Sequence, residues 1–482
     1  MPERDPGAPS LDPQAIIDEQ RRQIERLRED LRRSEAERQR LRRENEKLKE
    51  DLEAARRAVS RQAAPFSRGT TVAQPRVPGR TSGAAYGRKG HRGVPTHVDE
   101  TYDAPLPPQC PVCAGAVDRE RIATQYQEEL PVQRPLVRRF AVHVGRCRAC
   151  QRRVQGRHPL QTSDALGAAA VQLGPQAVAL AVVLNKDLGL PYAKIARLWR
   201  ERFGLTITAS GLVHAVRRAA RQAQPTYDAL CATVRGSPVV TPDETSWRVA
   251  ADLQWLWAFV TPDTTVYAIQ PGRGLAQAAA VIGADYAGIL VRDGWQSYRQ
   301  FTAAQHQSCL AHLLRTCRRL LLDYPAQPFV VAVKAVLQDA LATRARHGAG
   351  DLSTHGLAVR RGQLIARLGR LLARTPSRRR AIQRFQSHLI IEFDAIFSFL
   401  FDPTLDATNW RAEQALRPAV VTRKMSGGGN RTACGADTQQ VLASVLRTAA
   451  QRGLDRTDLI VQLLHARTPM VPVSLRTSPA VH

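Results

Sequence analysis

Three widely separated acidic residues stand where carboxylates could bind metal ions. Asp243 follows a short apolar run, Asp293 follows the run Gly288–Val291, and Glu413 lies four residues after Asn409 in a helical stretch. Carboxylate oxygens are hard ligands, and a small cage of them can hold two Mg²⁺ ions about 4 Å apart. Such a pair can activate a hydroxyl for in-line attack on a phosphodiester. The set therefore predicts metal-dependent phosphodiester chemistry.

Four other acids compete with Glu413 for the third position, and they are Asp402, Asp406, Glu392 and Asp394. Asp402 precedes a proline and Asp406 precedes the predicted helix, so either can simply shape a loop or cap a helix end. Glu392 and Asp394 lie before that loop. We expect Glu413 to be the third acid because the helix places it on one face with Asn409.

Four cysteines form two close pairs, Cys110 with Cys113 and Cys147 with Cys150. Tetrahedral Zn²⁺ takes four soft ligands, and two CxxC turns supply them in pairs. The spacing predicts a zinc ribbon over 101–160, with short strands such as Leu136 to Val144 between the turns. Four thiolates leave no open coordination position, so this Zn²⁺ is expected to be structural. A redox CxxC is the alternative, and the occurrence of two at this spacing argues against it.

The acids are separated by a pattern of strands and one helix. Three strands are predicted first, then a helix from Leu275 to about Asp285, then a fourth strand; the strands are Val239–Thr241, Leu253–Val260, Thr264–Ile269 and Gly288–Val291. This order is the ribonuclease H arrangement, in which the first and fourth strands lie side by side. Asp243 and Asp293 should then meet at one edge of the sheet.

The charge of the chain indicates a polyanionic partner. The 482 residues include 70 Lys and Arg against 43 Asp and Glu, a net charge of +27, and 43% of residues are hydrophobic. That composition predicts folded domains, and the positive charge makes nucleic acid the expected partner. No apolar run approaches the roughly 20 residues needed to cross a bilayer. A membrane-spanning or secreted protein is therefore not expected.

The N-terminal part predicts an assembly segment and a basic linker. Residues 15–58 carry a mostly apolar heptad seam that includes Ser34, Arg38 and Leu41, with Asn45 at one a position, which favours a parallel dimeric coiled coil. A single solvated helix held by pairs of opposite charge is the alternative. Residues 59–100 read as a flexible basic linker, in which Arg88, Lys89 and Arg92 could lie along DNA phosphates. A plain spacer fits that composition equally well.

The sequence pattern over residues 161–232 predicts a helical DNA-binding domain. A helix over 190–199, a turn that contains Gly204, and a second helix over 209–218 form a helix-turn-helix layout. In that layout four residues of the second helix or its cap would face the major groove, namely Thr208, Ser210, His214 and Arg217. Many helical hairpins bind nothing, so the positive charge and the predicted zinc ribbon strengthen this interpretation.

Several motifs together resemble the bacterial insertion-sequence transposases of the sixty-six group. They are Asp243-Glu-Thr, Asp293-Gly-Trp, Cys309-Leu-Ala-His312 followed by Arg315, and the stretch Asn409 to Pro418. The order of coiled coil, zinc ribbon, helix-turn-helix and catalytic domain is similar to that family too. The resemblance implies a multidomain α+β protein whose α/β RNase H-like domain, 233–450, carries a helical insertion at 311–400, before a tail at 451–482.

The resemblance also implies a function. Asp243, Asp293 and Glu413 correspond to the DDE triad of a transposase that uses two Mg²⁺ ions to cut the 3′ ends of a mobile DNA element and join them to a target. The partners implied are double-stranded DNA, further copies of the chain through the coiled coil, and other proteins of the same element, all on the bacterial nucleoid in the cytoplasm. Arg423 and Lys424 are expected to contact DNA. An RNase H-like nuclease that does not join, or a DNA-binding regulator with a decayed catalytic domain, remains the alternative.

Two further pairs of residues near the acids have open roles. A metal site at Cys309 and His312 would need two ligands that the sequence does not identify, so a core cysteine and a hydrogen-bonded histidine are expected. Trp295 and Trp410 could stack on an unpaired base. Core packing is the favoured interpretation for both.

Overall fold

The computed structural model describes residues 22–23, 25–26, 29–30, 32–41, 44, 93–130, 134–167, 171–325, 327–375, 377–426 and 429–476. The chain forms two compact units, 1–98 and 99–482. In the first unit the described residues between 22 and 44 are helical and exposed, including Ser34, Arg38 and Leu41 of the predicted heptad seam. The other seam positions, and Arg88, Lys89 and Arg92, lie outside the described residues.

The second unit begins with a two-stranded antiparallel ribbon, β1 (Val144–Arg146) and β2 (Arg153–Gln155). The strand predicted over Leu136 to Val144 is wrong except at its last residue, because residues 136–143 are not in a strand. A strand must hydrogen-bond to a partner, and in this segment only Val144 pairs with β2.

Three helices follow the ribbon: α1 (Pro175–Val182), α2 (Tyr192–Phe203) and α3 (Ala209–Arg235). Gly204 ends α2 in the left-handed conformation, with φ of 68°, which costs glycine no strain. The Thr208 hydroxyl caps α3 by accepting a hydrogen bond from the Gly211 N–H. The helix, turn and helix predicted from the sequence are therefore present, and α3 is longer than the pattern indicated.

A five-stranded mixed sheet forms the centre of the second unit. Its strands are β3 (Val239–Val249), β4 (Asp252–Val260), β5 (Thr265–Gln270), β6 (Ile289–Arg292) and β7 (Gln305–Ser308), with α4 (Leu275–Ile282) between β5 and β6. The spatial order is β5-β4-β3-β6-β7. The first three strands are antiparallel, whereas β3, β6 and β7 are parallel. The predicted adjacency of the first and fourth strands is confirmed by the pairing of β3 with β6.

Four longer helices lie between β7 and the third acid, where the helical insertion was predicted. They are α5 (Leu310–Asp323), α6 (Pro328–Gly348), α7 (Thr354–Leu372) and α8 (Arg380–Ile391). Their apolar faces bury side chains against one another in a separate hydrophobic cluster, which includes Leu313, Val333, Leu368 and Phe385. This cluster gives the insertion a core of its own.

Three helices complete the unit: α9 (Trp410–Ser426), α10 (Ala433–Gln451) and α11 (Arg456–His465). The sequence predicted a tail from 451, yet α11 buries Leu459, Ile460 and Leu463 in the main core. A short helix with one apolar face is stable only when that face is covered, so α11 belongs to the folded body. None of the described helices is both long enough and apolar enough to cross a membrane.

Alternate side chains of β4 enter two different cores. Trp257 and Phe259 pack with α3 and α10 on one face of the sheet, and Leu256 and Ala258 pack against α9 on the other. Successive residues of a strand point to opposite faces, so a strand with helices on both sides is apolar throughout. The two faces of the sheet therefore have different neighbours, which decides where each acidic side chain of β3 can go.

Side chains of α10 hydrogen-bond to the free N–H groups of the edge strand β5. The three bonds join Gln440 to Ile269 (3.0 Å), Ser444 to Tyr267 (2.8 Å) and Thr448 to Thr265 (3.1 Å). Four residues of helix rise about 6 Å, close to the advance of two strand residues, so every fourth helix residue meets every second strand residue. The edge is thereby covered without another strand.

Ser444→Ala should destabilise the protein, because the buried N–H of Tyr267 would lose its acceptor. We expect the free energy of unfolding in urea to fall by about 1–2 kcal/mol. Thr438→Val is the matched control, since among the described residues the Thr438 hydroxyl bonds to a carbonyl of its own helix and to no strand. An equal loss in both variants, or none in Ser444→Ala, would contradict the role assigned to this ladder.

Candidate functional site

The pairing of β3 with β6 brings Asp243 and Asp293 to the same level. Val240 pairs with Leu290, and the same parallel register, continued for three residues, sets Asp243 beside Asp293. Residues at the same level of adjacent strands share a face of the sheet. Pro242 precedes Asp243 and has no N–H for the ladder, so the strands are free to separate at this point. The two carboxylates are therefore close to one another on the same face of the sheet.

Two consecutive acids in β3 point in opposite directions. Asp243 lies opposite Ala258, whose side chain packs on the α9 face, whereas Glu244 lies opposite Trp257 on the other face. Cross-strand neighbours share a face, so Asp243 is directed to the side of the sheet that α9 covers. The Asp-Glu dipeptide thus contributes one acid to each side of the sheet.

The third predicted acid, Glu413, lies in the first turn of α9. Its Oε1 atom is 3.3 Å from Nη2 of Arg315 and 3.7 Å from Nε2 of His312. Arg315 and His312 both belong to α5, at the start of the insertion. Glu413 is therefore held between the helix that follows the insertion and the helix that opens it.

The three carboxylates lie within electrostatic range of one another. Burial, followed by the charges of Glu244, Asp293 and Glu413, raises the pKa of Asp243 to about 8. Asp243 accepts a hydrogen bond from the backbone N–H of Glu244 at 2.9 Å, and Asp293 accepts one from the N–H of Trp295 at 2.8 Å. In the part of the chain that the structure describes, neither has an ion-pair partner. Uncompensated carboxylates of this kind fit a bound cation.

The described ranges hold no group of three or more His, Cys, Asp or Glu side chains placed to ligate one ion together. The acids are thus near one another without forming a closed cage. Mg²⁺ is commonly bound through one or two carboxylates, with water and substrate phosphate as its other ligands. One turn before Glu413, Asn409 is fully buried, and neither polar atom of its side chain has a hydrogen-bond partner among the described residues. The donor set therefore fits Mg²⁺.

A half-buried arginine, which the sequence analysis missed, holds the loop that carries Asp293. The guanidinium of Arg273 lies 3.9 Å from the ring centre of Trp295 and 4.9 Å from that of Trp255, and it pairs with the buried carboxylate of Glu244 at 2.5 Å. Trp295 in turn donates its N–H to Asp293. Arg273 therefore connects β3 to the Asp293-Gly-Trp loop. Trp295 packs against the main core, as the favoured interpretation predicted.

A buried ion pair with Arg292 gives Glu392, one of the competing acids, a structural role. Nη1 of Arg292 lies 2.7 Å from Oε2 of Glu392 and also donates to the carbonyl of Asp293. The hydroxyl of Ser308 donates to the same carboxylate. Arg292 and Glu392 are at most 2% exposed, so Glu392 compensates a buried charge beneath the site.

The other competing acids have structural partners or lie in solvent. Asp406 pairs with Arg411 at 2.6 Å, and Asp402 accepts bonds from the N–H and hydroxyl of Thr404. The side chain of Asp394 is exposed. Glu413 is thus the candidate third acid whose charge reaches Asp243.

Cys309 and His312 lie at the start of α5, beside the acids. Cys309 is buried, and its Sγ atom accepts a hydrogen bond from the N–H of Asn409 at 3.4 Å. Burial raises the pKa of the Cys309 thiol and lowers the pKa of His312. Cys309 is thus the expected core cysteine. His312 lies near the site as expected, but the described residues give its buried Nδ1 atom no hydrogen-bond partner, so the expected hydrogen bond is not found at that atom. Trp410 differs from its expected core packing, because its side chain is 44% exposed.

The residues predicted to bind DNA have varied environments. Thr208 caps α3, Ser210 and His214 are exposed on that helix, and Arg217 is half-buried. Arg423 donates hydrogen bonds to the hydroxyl groups of Thr245 and Ser246 on β3, so it fastens α9 to the sheet. The side chain of Lys424 lies outside the described residues. DNA contact by these residues stays a prediction.

The two CxxC segments have the same backbone conformation. In each, the first cysteine N–H donates to the carbonyl five residues on, and its own carbonyl accepts from the residue four on. That fourth residue is left-handed in both, Ala114 with φ of 58° and Gln151 with φ of 59°. Backbone N–H groups lower the pKa of the Cys110 and Cys147 thiols. The backbone of each turn is suited to a pair of Zn²⁺ ligands. Within the described ranges, however, the four cysteines do not lie together.

Acids on two adjacent strands and a later helix, separated by a helical insertion, are the arrangement expected of a DDE transposase. Residues 170–437, more than half of the chain, match the family model described as the Transposase IS66 family. The chain belongs to this family. It is also 23% identical over 240 residues to an uncharacterized protein, y4qI, of Sinorhizobium fredii, which covers 44% of this chain and 43% of that protein. The chain spans less than half the length of this relative.

Arg273→Met should destabilise the protein, because Glu244 would remain buried without its cation. We expect a loss of about 3 kcal/mol in the free energy of unfolding in urea. Adding Glu244→Gln should recover part of that loss, since the uncompensated charge is then removed. Arg248→Met on the exposed side of β3 is the control and should change stability by less than about 0.5 kcal/mol. Failure of the double variant to recover would exclude this explanation.

Cys147→Ser should abolish zinc binding if the two turns share one ion. We expect about one Zn²⁺ per chain in the purified wild type, measured by elemental analysis, and almost none in the variant. Cys231→Ser changes a cysteine outside both turns and should leave the zinc content unaltered. Zinc retained in Cys147→Ser would show that the pairs do not form one site.

Proposed function

We propose that this transposase binds the terminal inverted repeats of a mobile DNA element, cuts the 3′ ends and joins them to target DNA. The observation that carries the proposal is the convergence of Asp243, Asp293 and Glu413, whose charges act on one another from two adjacent strands and a helix. Family membership and the β5-β4-β3-β6-β7 strand order support an RNase H-like catalytic domain, 233–450, around these residues. The helices of 311–400 are its insertion.

Asp243, Asp293 and Glu413 would hold two Mg²⁺ ions. When bound, Mg²⁺ supplies activation of the attacking hydroxyl and stabilisation of the leaving oxygen in an in-line displacement. Water would attack first, to liberate a 3′-hydroxyl, and that hydroxyl would then attack the target strand. No covalent bond between protein and DNA is needed, because neither step uses a protein nucleophile.

The chain's own residues fix the positions of these carboxylates. Trp295 orients Asp293 through its backbone N–H, and Arg273 holds the Trp295 ring. Arg315 and His312 hold Glu413 in its turn of α9. A placement error of 1 Å can cost about a hundredfold in rate, so these supports are part of the catalytic arrangement.

The N-terminal modules would provide DNA binding and assembly. The helix-turn-helix, with Ser210, His214 and Arg217, and the zinc ribbon would bind the element's ends, and the basic linker would follow the phosphates. The coiled coil would pair two copies so that two ends are held together. Target DNA and other proteins of the element complete the partners, and we place the reaction on the bacterial nucleoid in the cytoplasm.

Asp293→Asn should abolish both cleavage and joining while end binding is kept, because the amide cannot replace a charged carboxylate ligand. The substrates are labelled duplexes that carry the DNA on either side of the coding sequence. Cleavage and joining are followed on sequencing gels, and binding is followed by mobility shift. Asp285→Asn, at an exposed acid of the same domain, is the control and should behave as wild type. Strand transfer by Asp293→Asn would disprove the triad.

Duplexes that already end in a 3′-hydroxyl, incubated with a plasmid target, test joining separately. A transposase inserts them into the plasmid. Cleavage of intact ends without insertion would instead identify a nuclease, and binding without either reaction would identify a regulator.

A further inference from the structure

A cavity of about 370 Å³ lies between the triad and the insertion. Its walls include Gly294, which follows Asp293, and His312 and Arg315, which both contact Glu413. The cavity is therefore continuous with two of the three acids, yet no acidic side chain lines it. Its volume lies within the usual range for sites that bind small molecules or parts of larger ones.

The lining of this cavity carries positive charge. Two arginines, Arg315 and Arg319, contribute fixed charges, and two imidazoles, His312 and His388, contribute ring nitrogens. Burial lowers the pKa of both histidines, so at neutral pH the charge comes from the arginines. An environment with two cations and no carboxylate repels metal ions and attracts anions.

Arg319 is the cation of this lining that has no role in the fold. Arg315 is paired with Glu413, whereas the described residues give Arg319 no hydrogen bond and no ion pair. The two hydroxyl groups of the lining are already committed, because Ser308 donates to Glu392 and Thr316 donates to the carbonyl of His312. Arg319 is therefore the group whose donors remain available to a ligand.

Three residues of α5 that line the cavity form a row leading away from the acids. His312, Arg315 and Arg319 follow one another at intervals of three and four residues, so they share one face of α5. Arg319 lies about 6 Å along the helix axis beyond Arg315. A strand held at the carboxylates and continued along this face would bring a neighbouring phosphate to Arg319.

We propose that this cavity binds a backbone phosphate of the cut DNA strand, adjacent to the scissile phosphate, with Arg319 as its main contact and Arg315 as the second. The proposal rests on the proposed function, because it assumes that the scissile phosphate lies at Asp243, Asp293 and Glu413. Arginine suits this task, since its guanidinium donates two parallel hydrogen bonds to phosphate oxygens. Arg319 would act in positioning the strand.

Chemical footprinting of full-length wild-type protein tests the contact without catalysis. Phenylglyoxal modifies accessible arginines, and mass spectrometry of peptides gives a separate rate for each one. The probe is the duplex from either side of the coding sequence, kept in EDTA. At DNA concentrations about ten times the Kd, the reaction of Arg319 should slow about tenfold. The neighbouring Arg318, exposed and outside the cavity lining, is an internal control that should change less than about twofold.

Kinetics provide the second arm. Arg319→Gln should lower kcat/KM for cleavage about 10–100-fold, as expected for the loss of a charged hydrogen bond to phosphate. Arg318→Gln removes the same charge from the same helix and should stay within about twofold. Arg319→Lys should recover part of the activity. Because both arginines are exposed, the thermal midpoints of these variants should match that of wild type.

The outcomes separate this proposal from the proposed function. Equal protection of Arg318 and Arg319, or none of Arg319, together with normal cleavage by wild type would overturn the phosphate contact and leave the triad intact. Protection of Arg319 in a protein that never cuts DNA would support the contact and oppose the triad. Equal losses of kcat/KM in Arg318→Gln and Arg319→Gln would show that the loss comes from general electrostatics. That result would overturn the assignment of Arg319 as the phosphate contact.

Discussion

Repulsion among carboxylates is the constraint on which the rest of this structure depends. Burial and the neighbouring negative charges raise the pKa of Asp243 to about 8, so its charged form is disfavoured here and the acids repel one another once it is ionised. Two adjacent parallel strands and a helix start oppose that tendency, because their positions are set by hydrogen bonds and by cores on both faces of the sheet. The fold thus maintains a local arrangement that electrostatics alone would disperse.

Positive charge is distributed around this arrangement without neutralising it. Arg292 and Arg273 are paired with Glu392 and Glu244, which are not members of the triad. The arginines that brace the site therefore have their own counterions. Among the described residues, Glu413 is the one acid of the three with a cation in contact, and that cation, Arg315, is exposed. Binding of divalent cations by the acids consequently does not require the buried pairs to break.

Sequence patterns predicted much of the sheet that carries the acids. The first three strands, the helix and the fourth strand were predicted from apolar runs, turn residues and one alternating segment, and the pairing of β3 with β6 was predicted from their ribonuclease H-like order. Which acid of Asp243 and Glu244 faces α9 depends on register, which the pattern does not specify. The Arg273 and Arg292 networks join residues far apart in the chain, so no local signal marks them. The strand predicted before Val144 failed because partner availability is also a tertiary property.

The contact between α10 and β5 has a consequence for synthesis of the chain. Ser444 lies 177 residues after the Tyr267 N–H that it satisfies. During translation the edge of the nascent sheet therefore stays open until α10 has also left the ribosome. An open edge is a template for pairing with other chains, so the growing protein is most prone to aggregate in this interval. Truncation before α10 would make that exposure permanent.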